Sequence, residues 1–501
     1  MGVVPRHEIA EPASIAIRRV PYMPRWLRQP RHGGSRVTKA EHPRVRSATQ
    51  EVLGRAPSRA GAGEDRERAL LARIAARRAR VGIIGLGYVG LPLACTFAEG
   101  GFPVLGFDAD PAKVDALAAG RSYIHHLPAT RIGALAGRLV ATTDLARLGR
   151  CDAILVCVPT PLTAAREPDL SYVVQSAEAV ARALRPGQLV VLESTTYPGT
   201  TDEVVRPLLE AGGLVVGRDV FLAFSPERED PANGRFTTRT IPKLVGGTTA
   251  ACTRVAAALY EAVVERVVPV GSTRVAEAAK ILENTYRSVN IALVNELKVL
   301  FDRMGIDVWE VIDAAATKPF GFTRFEPGPG LGGHCIPVDP FYLAWKARQH
   351  DATTRFIELA GEINTAMPEW VLRKLVDALN RRGRALRGAR ILVLGVAYKR
   401  DVDDTRESPA LFLLDLLQRQ GARVAYHDPY VPVLGRFRKY DFALRSVALT
   451  SRVLSRSDAT LLLTDHSCFD ASFIVRHSRL VVDTRNMTRG VRTGRERIVR
   501  A

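Results

Sequence analysis

The chain has 501 residues, 47% apolar and 25% charged, which is ordinary for globular proteins and long enough for two to four domains. Six cysteines are scattered with no CxxC pair, no apolar run approaches the roughly 20 residues of a membrane span, and the first residues lack the apolar stretch of a secretory signal. These features exclude a disulfide scaffold, a zinc-ribbon site and a membrane-spanning protein; a cytoplasmic protein without a metal is expected. Net charge is +19, and residues 1–80, with 18 basic and seven acidic side chains, carry +11 of it. A basic tail or an anionic small-molecule substrate explains that distribution, and nucleic acid is not expected because no helix-turn-helix, finger or RNP pattern accompanies the charge.

Residues 1–63 are rich in Arg, Pro, Gly and Ser without a sustained apolar period, and are expected to be a largely disordered basic extension. From Glu64 the pattern changes, and Leu70, Leu71, Ile74 and Ala75 stand at helical spacing, predicting a short helix up to about Ala79. Then a compact apolar strand from Val81 runs into Gly85-x-Gly87-x-x-Gly90, followed by a helix over Leu91–Glu99 and a second strand, Pro103–Phe107, ending on Asp108. The three glycines serve a tight turn, a close approach to a pyrophosphate and helix–strand packing, while the helix N-terminus faces the phosphates. Asp108, eighteen residues after Gly90, is placed to bond a ribose 2′-hydroxyl and to repel a 2′-phosphate, favouring NAD over NADP. Further strands are predicted at Ala153–Val158, Leu189–Glu193 and Phe221–Phe224, each ending in a polar loop: Thr160, the Ser194–Thr196 run, and Ser225-Pro-Glu227. In an open parallel sheet such loops converge on the ligand, although Ser, Thr and Pro are also common turn residues.

Thr273–Met304 reads as one long helix without Gly or Pro, suited to a spine between domains or a dimer interface. Lys280 and Asn284 share one face of it, a pattern that a solvated surface also produces; Arg287 and Asn295 add polar positions. Gly328–Pro340 (GPGLGGHCIPVDP) then sets Cys335 in a Gly/Pro-rich loop, with Asp339 four residues on. An open, stiffened loop around one thiol suits a nucleophilic cysteine, and equally a buried thiol beside a turn. Helices are predicted at Tyr342–Gln349, Phe356–Ala366, Glu369–Arg382 and Pro409–Gln420, with strands at Arg390–Leu394, Val424–His427, Ala459–Leu463 and Leu480–Asp483. This second βαβ pattern lacks the three glycines, and its loop carries Lys399 and Arg406, which could grip phosphates. The fold class is therefore α/β: two Rossmann-like domains with parallel sheets, joined by a long central helix and a helical middle domain. The boundaries are 1–63 for the extension, 64–270 for the NAD-binding domain, 271–385 for the central domain and 386–501 for the C-terminal domain.

Six motifs occur in order: GLGYVGLPLA at 85–94, ESTTYPGTT at 193–201, SPE at 225–227, KILEN at 280–284, GGHCIPVDP at 332–340 and YKRDVDDTRESPAL at 398–411. Over about 81–490 the chain resembles the nucleotide-sugar 6-dehydrogenases, the family of UDP-glucose and GDP-mannose dehydrogenases, and its wording looks most like the UDP-N-acetylglucosamine 6-dehydrogenase branch. The resemblance implies oxidation of a C6 alcohol to a carboxylate with two NAD, for surface polysaccharide synthesis. It makes Cys335 the nucleophile that carries a thiohemiacetal and then a thioester. It makes Lys280 the oxyanion-stabilising cation with Asn284 beside it, Asp339 the carboxylate that helps activate water, with Thr195 nearby, and Glu227 an acid/base in hydrolysis. It places Gly85, Gly87, Tyr88, Val89, Gly90, Asp108, Lys113, Thr160, Thr195 and Arg406 at the cofactor. It assigns substrate contacts to Glu227, Lys280, Asn284, Arg287, the 327–332 loop with Gly328, Gly330 and Gly332, Lys399 and Arg485. A homodimer or higher homo-oligomer through the helical middle is also implied.

Two positions depart from the family pattern. Pro231 stands where UDP-glucose enzymes often carry a second glutamate, which fits an acetamido sugar better. Glu326 stands before the PGPG loop where an aromatic is expected, and a carboxylate there is unfavourable near a diphosphate unless it points away. UDP-glucose, UDP-N-acetylmannosamine and GDP-mannose remain alternative substrates, and a catalytically silent NAD- or nucleotide-sugar-binding regulator is the alternative outside enzymes.

Overall fold

A computed structural model describes residues 59–124, 127–163, 165–229, 236–333, 336–437 and 439–501. The expected disordered extension lies outside these residues up to position 58. Its last residues do not: the first helix runs Arg59–Ala75, starting earlier and stopping sooner than the apolar spacing predicts. Leu70 and Ile74 are buried on its inner face, and polar ties lengthen it. Arg66 pairs with Asp219 at 2.7 Å, Arg254 with Glu67 at 2.7 Å, and Arg73 with Asp152 at 2.7 Å.

Eight strands form the first sheet: β1 (Val81–Ile84), β2 (Val104–Phe107), β3 (Leu139–Thr142), β4 (Ala153–Val156), β5 (Leu189–Leu192), β6 (Phe221–Phe224), β7 (Lys243–Gly247) and β8 (Val267–Val270). They lie in the order β3-β2-β1-β4-β5-β6-β7-β8. Five of them (β1, β2, β4, β5, β6) are buried at every residue, as uninterrupted apolar runs of a parallel sheet covered on both faces should be. Strand order reverses between β1 and β4, which pair in parallel with Ile84 opposite Val156, and a ligand crevice opens beyond their carboxyl ends. The sheet is not wholly parallel as expected. β7 runs antiparallel to β6, Ala223 opposite Gly247, because the described residues linking them hold no helix to make the crossover a parallel return needs.

The central helix spans Thr273–Met304, as the sequence predicts, and rises about 48 Å. Ser272 starts it by accepting the Val275 N–H, and Gly305, at φ +71°, ends it. One face buries Ala276, Glu277, Lys280, Ile281, Asn284, Ser288 and Asn295. The opposite face exposes Val275, Leu282, Tyr286, Leu293, Leu300 and Met304. Helix Asp339–Arg348 and helix Arg355–Asn380 pack against this spine. The two helices expected either side of Pro368 are one. Pro368 has no N–H for the Asn364 carbonyl, and that oxygen faces the Gly330 backbone instead.

The second sheet follows with β9 (Arg390–Leu394) and β10 (Arg423–His427), an antiparallel hairpin of β11 (Val433–Arg436) and β12 (Asp441–Arg445), then β13 (Ala459–Leu462), β14 (Val481–Asp483) and β15 (Ile498–Arg500). Its order is β10-β9-β13-β14-β15, all parallel. No helix among the described residues is long and apolar enough to cross a membrane.

Asp152, 2% exposed at the start of β4, accepts from the Arg80 N–H, Arg73 and Arg185 at 2.8, 2.7 and 2.8 Å. Asp152→Ala leaves the Arg80 amide without that acceptor and removes one of the first helix's ties, so unfolding free energy should fall by about 1–3 kcal/mol. A urea titration measures this; an unshifted midpoint would show that the bonds to Asp152 add nothing to stability.

Candidate active site

The glycine-rich turn after β1 has three distinct duties. Gly85 sits at φ +90°, and a Cβ there would lie 2.6 Å from the Cys157 carbonyl. A Cβ on Gly90 would lie 1.8 Å from the Gly85 oxygen, so strand and helix pack only through glycine. A Cβ on Gly87 would meet nothing within 4 Å, so this face is open for a ligand's close approach. Helix Gly90–Glu99, which starts at this turn, has no side-chain cap at Val89. At the end of β2, Asp108 accepts from the Leu86 N–H at 2.9 Å, the Asp110 N–H at 3.0 Å and Lys113 Nζ at 3.0 Å. Burial alone would raise its pKa, but these donors together hold it below the usual carboxylate value. The cradle fits NAD, with an open glycine face and, at the end of β2, an ionised carboxylate able to accept from a hydroxyl. Lys113 orients that carboxylate.

Thr160 donates to the Thr195 carbonyl at 2.8 Å, which brings two strand-end loops together. Tyr342 in turn donates to the Thr160 carbonyl at 2.6 Å, fixing helix Asp339–Arg348 to the cofactor loops. Arg406 reaches across from the second sheet, its guanidinium 4.5 Å from the centre of the Tyr88 ring. Asp404 holds it there through an ion pair at 2.6 Å.

Below the Gly/Pro loop lie Lys280, Asn284 and Asp339, all buried. Asn284 Nδ2 donates to Asp339 Oδ2 at 2.6 Å. Burial pushes the Asp339 carboxyl up to about 7, against the opposing pull of Lys280 and Asn284. A carboxyl poised near neutrality beside an ammonium and an amide is equipped to exchange protons. Cys335 itself, with His334, lies outside the described residues, as does Pro231. The loop is described up to Gly333, whose N–H donates to the Arg406 carbonyl at 3.1 Å. Gly330 adopts φ +133°, a backbone that only glycine takes readily, and a Cβ on Gly332 would lie 2.7 Å from Tyr398 Cβ. Gly328 donates to Asn295 Oδ1 at 2.9 Å and lies against the Arg485 guanidinium. A cleft of about 650 Å³ opens here, lined by Pro161, Leu162, Leu331, Ile336, Val338 and Arg406 among others.

Some predicted residues stand differently. Arg287 is on the exposed side of the central helix, because its position falls out of register with the inward row of Lys280, Asn284 and Ser288, so it does not share their site within this chain. Glu326 is largely exposed and pairs with Arg324 at 3.1 Å, while its charge still reaches the buried Arg485 guanidinium. Lys399 is partly buried in the loop after β9. Glu227 is engaged on both oxygens: Oε1 accepts the Arg228 and Glu229 N–H groups, each at 2.7 Å, and Oε2 accepts Lys243 Nζ at 3.1 Å. Burial disfavours its charge, yet Lys243 and those amides hold its pKa below normal. Lys243, buried, also pairs with Glu193 at 2.7 Å, and Glu193 is further bonded by the Tyr260 hydroxyl. Sequence reasoning missed Lys243, Asp404, Tyr342 and Asn364. Two signals were legible: a lysine opening an otherwise apolar strand, Lys243–Gly247, and an acid, Asp404, two residues from Arg406.

The fold and cradle define an NAD-binding dehydrogenase with a second α/β unit facing the first across a helical spine. Three models of one family match in order: the NAD binding domain of the UDP-glucose/GDP-mannose dehydrogenase family over 79–264, its central domain over 274–366 and its UDP binding domain over 392–490. The UDP-N-acetyl-D-glucosamine 6-dehydrogenase of Pseudomonas aeruginosa is 36% identical over 363 residues, 72% of this chain and 85% of that protein. The NDP-N-acetyl-D-galactosaminuronic acid dehydrogenase of Ralstonia nicotianae is 36% identical over 421 residues, 81% of this chain and 96% of that one. Among solved structures, the UDP-D-ManNAc dehydrogenase of Pyrococcus horikoshii superposes with a TM-score of 0.75 at 32% identity, covering 84% of this chain and 98% of that one. The chain belongs to the UDP-glucose/GDP-mannose dehydrogenase family, and it is an NAD-dependent nucleotide-sugar dehydrogenase.

Asp339 gives a pH test. Its native pKa stands above the ordinary carboxyl value of 3.8, so between about pH 4 and 7 the native state binds more protons than the unfolded chain. Its contribution to stability is therefore present at low pH and lost as pH rises through that window. Asp339→Asn removes this dependence, so the variant should gain thermal stability relative to wild type on going from about pH 5 to 8. Unfolding curves of both proteins across that range check it; a constant difference would refute the buried, protonated carboxyl.

Proposed function

We propose that the protein oxidises the C6 alcohol of UDP-N-acetylglucosamine to the uronate, in two NAD-dependent steps, for surface polysaccharide synthesis. The observation that carries this reading is the buried Lys280–Asn284–Asp339 cluster on the helices either side of the Cys335 loop. NAD, when bound, accepts hydride from the sugar carbon in each step. Lys280 and Asn284 stabilise negative charge on the C6 oxygen. Cys335 adds to the aldehyde as a thiolate, giving a thiohemiacetal that becomes a thioester on the second oxidation. Asp339, with Thr195 near the cofactor, orders and deprotonates the hydrolytic water. Glu227, ionised and fixed by Lys243, serves as an acceptor and base, with no proton of its own to donate. Gly328, Gly330, Gly332, Lys399 and Arg485 line the nucleotide-sugar path, residues 64–270 carry NAD, 271–385 the chemistry and 386–501 the UDP moiety.

The choice of an acetamido sugar rests on the SPER-x-DP and PGPGLGGHCIP wording and on relatives named for N-acetylated sugars. UDP-N-acetylmannosamine is the second reading, favoured by the likeness to the Pyrococcus horikoshii enzyme. The apolar row of Leu282, Tyr286, Leu293 and Leu300 on the outer face of the central helix supports pairing of two copies there.

Purified protein given a panel of UDP-sugars should release two NADH per UDP-N-acetylglucosamine and less with the other sugars. NADH with none of them would sink the proposal. Cys335→Ala should still bind NAD and the nucleotide sugar yet form no uronate; undiminished uronate would remove the thiol from the mechanism.

A further inference from the structure

Two buried cations meet where the central helix passes the second sheet. Lys298, 4% exposed, projects from the central helix one turn beyond Asn295, whose amide oxygen accepts the Gly328 N–H. Its ammonium lies 5.2 Å from the centre of the Trp370 ring and 3.4 Å from the Thr484 carbonyl. The next residue, Arg485, gives Nε to the Leu463 carbonyl at 3.0 Å and presses its guanidinium against Gly328. Among the described residues neither cation forms an ion pair, and the carboxylates whose charge reaches them are engaged elsewhere, Asp465 by Arg400 and Glu326 by Arg324. Asp302, one turn further along the helix, is held by Lys374 at 2.7 Å. Asp483 accepts from the Arg485 N–H and from the amide and hydroxyl of Thr488.

Such a pair is expensive in a ligand-free protein. A buried ammonium with one long hydrogen bond loses hydration it does not recover, and a guanidinium alongside repels it. Burial and the neighbouring Arg485 push the Lys298 ammonium down to about 7. A structural role alone would be served better by methionine, which fills the same space against Trp370 without the charge. An anion bound at Gly328 would neutralise both cations together.

We propose that Lys298 is a second cation of the anion site formed by Arg485 and Gly328, and that it recognises the diphosphate of the nucleotide sugar. This rests on the reading of Arg485 and the 327–332 loop as substrate-binding. A charge contact to the diphosphate adds affinity for UDP over uridine and none for uridine itself.

The experiment measures UDP and uridine binding by calorimetry for the full chain and for Lys298→Met, Lys298→Arg and Arg485→Gln, with melting of each ligand-free protein. Lys298→Met should weaken UDP about tenfold or more, the scale of one lost close charge contact, leave uridine unchanged and raise the ligand-free melting temperature. Lys298→Arg, which keeps the charge, should retain most of the UDP affinity even if its bulk lowers stability. With the nucleotide sugar as substrate, the methionine variant should raise KM with kcat nearly unchanged. UDP affinity unchanged in Lys298→Met but reduced in Arg485→Gln would overturn the role of Lys298 alone. Equal weakening of UDP and uridine would also overturn it, marking a packing residue. UDP affinity unaffected in Arg485→Gln would overturn the underlying reading of the site, and this proposal with it.

Discussion

A carboxyl group kept out of water is the constraint on which the rest of this structure turns. Asp339 opens a helix at the base of the cysteine loop and is fully enclosed, with Lys280 for charge and Asn284 for a hydrogen bond. An enclosed carboxylate without those partners would cost several kcal/mol, so the central helix must present Lys280 and Asn284 inward, in one register. That register in turn decides which residues reach the Gly328 loop, namely Asn295 and its neighbours, and which are left outside, Arg287 among them. Tyr342 on the Asp339 helix extends the same frame to Thr160 and so to the cofactor crevice. The chemistry, the spine and the cradle are therefore one mechanical unit.

The loop from Gly328 to Gly333 is held by contacts that each need a glycine. Gly328 admits the Arg485 guanidinium, Gly330 a backbone angle of +133°, and Gly332 the Tyr398 side chain. Two of these are approaches of the second sheet to the loop, by Arg485 after β14 and Tyr398 after β9. Pro368 contributes as well, since the carbonyl it leaves unpaired within its helix faces Gly330. A proline that reads as a helix boundary is thus a packing device in the middle of one.

How much was legible follows from how local each signal is. β1, β4, β5 and β6 are short apolar runs buried on both faces, and they read directly, as did the central helix between Ser272 and Gly305. β3, with residues only partly buried, and β8, interrupted by Pro269, show no such run and were passed over. The glycine cradle, Asp108 and the Lys280–Asn284 pair stood out because their spacing is regular within a few residues. The Glu193–Lys243–Glu227 network did not, because its members lie 16 and 50 residues apart and meet only through the sheet. Asp404, two residues from Arg406, was in plain view; what the sequence does not reveal is that Arg406 leans on Tyr88 from another domain.

Arg406 and Tyr88 meet guanidinium on ring, between the loop beside the cysteine segment and the glycine turn of the cofactor cradle. In the proposed reaction a spent cofactor must leave and a fresh one enter while the sugar is half oxidised. The sugar would then be tethered to the loop that belongs with Arg406 and the spine, not with the glycine turn. In that reading, the side of the contact that carries Arg406 keeps the sugar while the glycine turn exchanges its dinucleotide.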